Sequence, residues 1–193
     1  MELPNNPQIH SDEEIETVSN KPNLFLVYIS LGIASIVFGV IVGLQQWAPD
    51  NDIATSKVIP FIAPLINSYD SKDSLTVNAT INKPIIINFW ASWCGPCRVE
   101  MKNVETIWKK YEGKVLIIGI ATQDTQEAVE NFVSDMSITY PISLDSSSSI
   151  AREYQISQIP TTIFVDSKGN IHKRSIGTIS EEFIEKTLIE IME

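Results

Sequence analysis

The chain predicts an α/β fold: a mixed β-sheet flanked by helices, preceded by one N-terminal transmembrane helix. Three observations predict it. From Lys83 onward, short apolar runs rich in isoleucine and valine alternate with stretches of helical spacing, the order of strands joined by crossover helices. Near the C-terminus the alternation gives way to two strand-like runs around Asp166-Ser167-Lys168-Gly169-Asn170, an antiparallel hairpin that makes the sheet mixed. Ahead of both, Leu24–Leu44 runs 21 residues without a charge. As a helix that stretch rises about 31 Å, the depth of a bilayer core.

Residues 1–23 are acidic and proline-punctuated, five acids against one lysine, and read as a disordered tail. Residues 24–44 read as an uncleaved anchor. A cleaved signal peptide would carry a short basic leader and a small-residue cleavage site, and here the leader is long and acidic. Trp47 suits the interfacial aromatic belt. Gly39 and Gly43 form a G-x-x-x-G that is a candidate for helix pairing into a weak homodimer. Lys21 and Lys57 flank the span almost symmetrically, so loop charge does not orient it. Residues 45–62 read as a polar, Pro-containing tether, and the globular domain is expected over 63–193.

Within that domain, Leu65-Ile66-Asn67 and Ser74–Val77 suggest a small hairpin around Ser71-Lys72-Asp73. Ile85–Phe89 is a buried central strand with Pro84 just ahead of it, where a missing N–H does least harm. Cys94 to Tyr111 is a helix with Val99, Met101, Val104, Ile107 and Trp108 as apolar positions, stopped at Glu112-Gly113. Val115–Ala121 is a second buried strand. Asp124-Thr125-Gln126-Glu127 has the form of a capping box for a helix reaching Met136. Tyr140–Leu144 reads as an edge strand. Ser146–Ser149 reads as a loop and N-cap for a short helix, Ile150–Tyr154. Thr161–Val165 and Ile171–Ile176 are the late hairpin. Ser180 caps a final amphipathic helix with Phe183, Ile184, Leu188 and Ile191 on one face.

The net charge of −10 contains no basic block. A nucleic-acid phosphate backbone would be repelled by this balance, so nucleic acid is not an expected partner. The two cysteines, Cys94 and Cys97, are the only ones in the chain, and they stand where a strand passes into a helix. A C-x-x-C pair there is the pattern of a reversible redox centre. At a helix N-terminus, unsatisfied N–H groups stabilise a thiolate, and Arg98 adds positive charge nearby. Cys94 is then the attacking and Cys97 the resolving thiol of disulfide exchange, with Cys94–Cys97 as the oxidised form. Pro96 fits the first helical turn. Zinc is disfavoured, because the only further soft ligands are His10 in the tail and His172 on a hairpin strand. A purely structural disulfide is disfavoured too, since so short a loop gains little entropically. No metal and no cofactor is expected.

Phe89-Trp90-Ala91-Ser92-Trp93-Cys94-Gly95-Pro96-Cys97 resembles the active-site motif of the thioredoxin superfamily, with Trp93, Gly95 and Pro96 as its supporting residues. The single anchor, the residues between two of the strands and Ile159-Pro160-Thr161-Thr162 make the chain similar to membrane-anchored members of the TlpA/ResA/CcmG group. The resemblance implies a thioredoxin-like sheet and protein-disulfide reductase activity. It also implies a cis Pro160 that faces the substrate beside the cysteines, where the residues alone also allow a proline opening an edge strand. Thioredoxins carry a buried aspartate on the strand before the motif; this chain has Asn88, which cannot take up and release a proton in that role. Glu100, three residues after Cys97 and on the same helical face, is the candidate proton manager. The same carboxylate reads equally as a first-turn acid favouring the helix dipole.

The group is tethered so that its domain works outside the cytoplasmic membrane. The resemblance therefore implies a single-pass protein of the cytoplasmic membrane with its C-terminal domain on the extracytoplasmic side. The implied substrates are exported proteins with disulfides, notably apocytochrome c, and the implied electron donor is a CcdA- or DsbD-like membrane protein. A disulfide-forming oxidant and a non-catalytic partner-binding module are the alternatives.

Overall fold

The computed structural model describes residues 56–192, together with Tyr28, Ile29, Gly32 and Ile33, which are helical. The tail over 1–23, most of the expected anchor over 24–44, the Gly39/Gly43 pair and the tether up to residue 55 lie outside the described residues. Among the described residues no helix is long and apolar enough to cross a membrane. The chain divides into two units, residues 1–50 and 51–193; the second holds the sheet.

Seven strands form one sheet: β1 (Phe61–Tyr69), β2 (Lys72–Val77), β3 (Ile85–Trp90), β4 (Leu116–Thr122), β5 (Ile142–Asp145), β6 (Thr161–Val165) and β7 (Ile171–Ile176). Among the described residues of this unit, four helices accompany them: α1 (Gly95–Lys110), α2 (Gln126–Asp135), α3 (Ser149–Glu153) and α4 (Glu181–Met192). The strand order is β2-β1-β5-β4-β3-β6-β7. β3 runs parallel to β4 and β4 to β5, while β1–β2, β1–β5, β3–β6 and β6–β7 are antiparallel. The expected mixed sheet is therefore present.

Every residue of β3 and β4 is buried, as a strand covered on both faces requires. Alternate side chains feed two cores. Ile86, Trp90, Ile117 and Ala121 pack with Met101, Val104 and Ile107 of α1, Val129 and Phe132 of α2, and Ile184, Leu188 and Ile191 of α4. Ile85, Ile87, Phe89, Ile118 and Ile120 pack on the other face with Ile150, Ala151, Tyr154, Val58 and Phe61. Gly119 sits where β4 meets bulky neighbours: a Cβ there would lie 2.6 Å from Ile142 Cδ1 and 3.0 Å from Trp90 Nε1. Only glycine leaves the first core closed at that point.

Several expectations are corrected. Residues 56–62, read as the end of a tether, are folded. Val58 is buried, its N–H donates to Gly169 O at 2.8 Å, and Lys57 bridges to Asn170. β5 is an inner strand, because β1 pairs along it and Asn67 closes the gap, its side chain bonding Tyr140 O at 2.8 Å and Ile142 N at 2.7 Å. The capping box does not form: Thr125 is the N-cap of α2, accepting from Ala128 N at 3.3 Å, and Asp124 is engaged elsewhere. α3 begins after Ser148, which is left-handed and makes no side-chain cap bond. Val99 is not a core position but 58% exposed. The late hairpin and Ser180, whose Oγ receives Phe183 N at 3.2 Å, stand as read; the early hairpin is present, but its turn is Asp70-Ser71 and Lys72 and Asp73 already belong to β2, since Tyr69 pairs with Lys72.

Candidate active site

β3 delivers the chain at its C-terminal end into Ala91-Ser92-Trp93, and α1 starts straight afterwards. The connecting loop is held by Asp124, which follows the C-terminal end of the neighbouring parallel strand β4. Its carboxylate accepts from Ser92 N at 2.5 Å and Ser92 Oγ at 2.9 Å. Trp93 is 62% exposed, with its indole Nε1 donating to Gln123 O at 3.0 Å.

Cys94 is the N-cap of α1, in extended conformation, and its Sγ accepts from Cys97 N at 3.2 Å. A helix needs acceptors for its first N–H groups, and here a sulfur supplies one. Pro96 falls in the first turn, where it removes no helical bond. Cys94 and Cys97 are joined as a disulfide, with Cα atoms 5.3 Å apart. Cys94 keeps 6% exposure and Cys97 none. Arg98, expected to bring charge to the sulfurs, instead lies 4.5 Å over the Phe132 ring and against Met136 Sδ.

Ile159–Pro160 is a cis peptide. The register Phe89↔Thr161 puts Pro160 at the end of β3, one step from the loop that carries the cysteines. Two residues after β7 tie these parts together: Gly177 N donates to Pro160 O at 2.8 Å, and Thr178 Oγ1 donates to Pro96 O at 3.4 Å. Gly177 has φ +90, a conformation that favours glycine.

Behind the disulfide, Glu100 is fully buried. Its Oε1 accepts from Thr162 Oγ1 at 2.6 Å and Asn88 Nδ2 at 2.7 Å, and its Oε2 accepts from Ile179 N at 3.1 Å. Asn88 Nδ2 also donates to Thr162 Oγ1 at 2.8 Å, while Asn88 Oδ1 is buried with no protein partner. Burial pushes the Glu100 carboxyl above its ordinary range, against the pull of the three hydrogen bonds. The reading of Glu100 as a first-turn acid is corrected: the helix begins at Gly95, Glu100 is its sixth residue, and the first turn holds no acid. Glu100 thus shares the Asn88 face of the sheet and stands one helical turn from Cys97.

Sequence reasoning missed Thr162, Asp124, Gly177 and Ile179. The Thr161-Thr162 pair opening an apolar strand is a readable sign for Thr162: a buried hydroxyl needs a partner. The other three are set by contacts between distant segments. His172 is exposed on β7, with Nε2 3.3 Å from Glu190, away from this site.

The family model of the AhpC/TSA family matches residues 56–174. The thiol-disulfide oxidoreductase ResA of Bacillus cereus is 33% identical over 110 residues, 56% of this chain and 64% of that protein. The chain therefore spans just under two thirds of that relative's length. Sporulation thiol-disulfide oxidoreductase A of Bacillus subtilis is 28% identical over 152 residues, 76% of this chain and 90% of that protein. Among solved structures, a thiol:disulfide interchange protein DsbE from Chlorobium tepidum superposes with a TM-score of 0.65 at 18% identity, covering 72% of this chain and 98% of its own. That likeness shows a thioredoxin-like fold.

Proposed function

This chain belongs to the AhpC/TSA family, with thiol–disulfide oxidoreductases as its relatives, and from that premise we propose that it is a membrane-tethered reductant of disulfides in exported proteins. The observation that carries the reading is the cap of α1. The sulfur of Cys94 occupies the one position where helix N–H groups converge, and Cys97 N donates to it. When the disulfide is opened, the same donors hold a Cys94 thiolate, lowering its pKa and making it the nucleophile.

Cys94 S⁻ attacks one sulfur of a substrate disulfide. The substrate S–S bond breaks, a mixed disulfide forms, and the leaving thiolate takes a proton from solvent. Cys97, wholly buried and one turn along, is placed to attack Cys94 Sγ next. It releases the second substrate thiol and closes Cys94–Cys97. Two electrons pass to the substrate and the pair is left oxidised. Glu100, held in a buried network within a turn of Cys97, is the group placed to receive or return a proton as Cys97 reacts.

The 21-residue uncharged run over 24–44 supports tethering, and the resemblance of the motif to the TlpA/ResA/CcmG group supports a domain outside the cytoplasmic membrane. In that oxidising compartment a dithiol must be re-reduced by a membrane donor, itself a dithiol of CcdA or DsbD type. Apocytochrome c before haem attachment is the substrate this resemblance implies.

Insulin-disulfide reduction by the full-length chain tests the activity: wild type is active, Cys94→Ser is not, and equal rates would overturn the proposal in favour of a partner-binding module. A reduction potential more oxidising than the surrounding dithiol pool would make the chain a disulfide-forming oxidant instead. A membrane-impermeant thiol reagent labels Cys94 in intact cells; labelling only after lysis would overturn the topology.

A further inference from the structure

Residues 56–59 pack against β7 and the end of α3: Ile171 N donates to Ser56 O at 2.8 Å, and the Tyr154 hydroxyl donates to Ile59 O at 2.8 Å. A cavity of about 220 Å³ is lined by residues of all three segments, among them Lys57, Glu153, Tyr154, Gln155 and Arg174. A water needs only about 10–15 Å³, so the space takes a group of several heavy atoms. None of the residues lining it belongs to the site around Cys94 and Cys97.

Arg174 is the unusual member. The register Ile163↔Arg174 puts it on the face of the second core, where β7 ends the sheet as an edge strand. Its stem covers that core while its head needs acceptors. The residue is half-buried, its Nε is buried with no protein partner, and among the described residues no carboxylate lies within ion-pair distance of its guanidinium. Burial lowers the guanidinium pKa from its ordinary range, yet an arginine stays charged at neutral pH. A cation held out of water without an acceptor carries a desolvation cost that an anion beside it offsets. Lys57 and Arg174 outnumber Glu153, the one acid of the lining. Lys57 Nζ is tied to Lys168 O at 3.0 Å, and Glu153 is exposed.

We propose that this cavity binds a phosphate group, held by the Arg174 guanidinium with the Gln155 amide and the Lys57 charge beside it. The planar fork offers two parallel N–H donors to two phosphate oxygens, and the amide of Gln155 is a further donor for a third. A carboxylate has only two oxygens and fills less of the space. Bound here, the anion ties residues 56–59, β7 and the end of α3 together. Its source is inorganic phosphate or the phosphate of a phospholipid headgroup, which share this chemistry.

The test is calorimetric titration of the full-length chain with inorganic phosphate, at constant ionic strength set by chloride. The wild type binds one phosphate per chain. Arg174→Gln removes a side chain whose Nε has no protein partner, so the fold is kept, and it weakens binding about tenfold or more, the worth of a charge-assisted contact. Arg174→Lys keeps the charge without the fork and restores the affinity only in part. Glu153→Gln removes the opposing acid and tightens binding about threefold, a gain that a damaged fold does not give. Insulin-disulfide reduction is unchanged in all three variants. Glycerol 1-phosphate binding at least as tightly as inorganic phosphate marks a headgroup as the source, and weaker binding marks inorganic phosphate. No heat beyond dilution with either compound, or equal affinity in wild type and Arg174→Gln, overturns the site.

Discussion

Replacing Glu100 separates a buried titrating carboxylate from an ordinary buried hydrogen-bond acceptor. In Glu100→Gln the side-chain oxygen keeps Ile179 N, and the new amide N–H₂ finds the unpartnered Asn88 Oδ1 once the Asn88 amide turns over. The variant therefore folds. Glu100→Ala instead strips the acceptor from three buried donors, and two of them, Thr162 Oγ1 and Ile179 N, are left with none, while Asn88 Nδ2 keeps Thr162 Oγ1. At about 1–3 kcal/mol for each orphan, the alanine variant loses roughly 2–6 kcal/mol. The sign of the pH effect follows from burial. The folded carboxyl holds its proton to higher pH than the unfolded one, whose ordinary value is 4.5. Stability supplied by this group is complete below 4.5 and is lost as pH rises through the folded value, with each tenfold change in acid constant worth about 1.4 kcal/mol. Urea unfolding of wild type and Glu100→Gln across this range is the assay. The wild-type curve falls relative to the glutamine curve as pH rises above 4.5. Parallel curves would refute the reasoning, because they mean that Glu100 ionises alike in both states. The pH profile of disulfide exchange should move in the same variant if Glu100 handles protons.

Three further outcomes are expected. Cys97→Ser accumulates a mixed disulfide with substrate that is visible on a non-reducing gel and disappears with reductant, whereas Cys94→Ser forms none. Asp124→Ala removes the acceptor from Ser92 N and Oγ, lowers stability by about 1–3 kcal/mol and raises proteolytic cleavage in the Ala91–Trp93 loop; unchanged protection would show that the loop is held otherwise. Gly119→Ala drives a methyl to within 2.6 Å of Ile142 Cδ1 and 3.2 Å of Tyr140 Cε2, costing about 1–3 kcal/mol by overpacking; a variant as stable as wild type in urea would show slack in that core.

What was legible in the chain was what depends on near neighbours. The isoleucine runs of β3 and β4 declare burial on both faces, the Asp166–Asn170 turn declares its hairpin, and a lone C-x-x-C at a strand-to-helix junction declares the pair that closes into a disulfide. What was not legible depends on segments far apart. Val99 looks like core by its side chain, yet Glu100 and Glu105 are buried, because Ile179 N, Thr139 N and Thr139 Oγ1 arrive from elsewhere to be accepted. Asp124 has the spacing of a cap but faces Ser92, since β3 and β4 end side by side. β5 looks like an edge until Asn67 on β1 takes up its free backbone groups.

The place where residues 56–58 join the domain has a consequence of its own. They fasten to Gly169 and Asn170, in the turn between β6 and β7. β6 runs antiparallel to β3, so that turn lies at the opposite pole of the sheet from Cys94. Residues 56–58 thus meet the sheet at the pole opposite the end of β3 that leads to the disulfide. A force applied at Ser56 therefore loads the β6–β7 hairpin first, through the bonds of Val58 N to Gly169 O and of Ile171 N to Ser56 O.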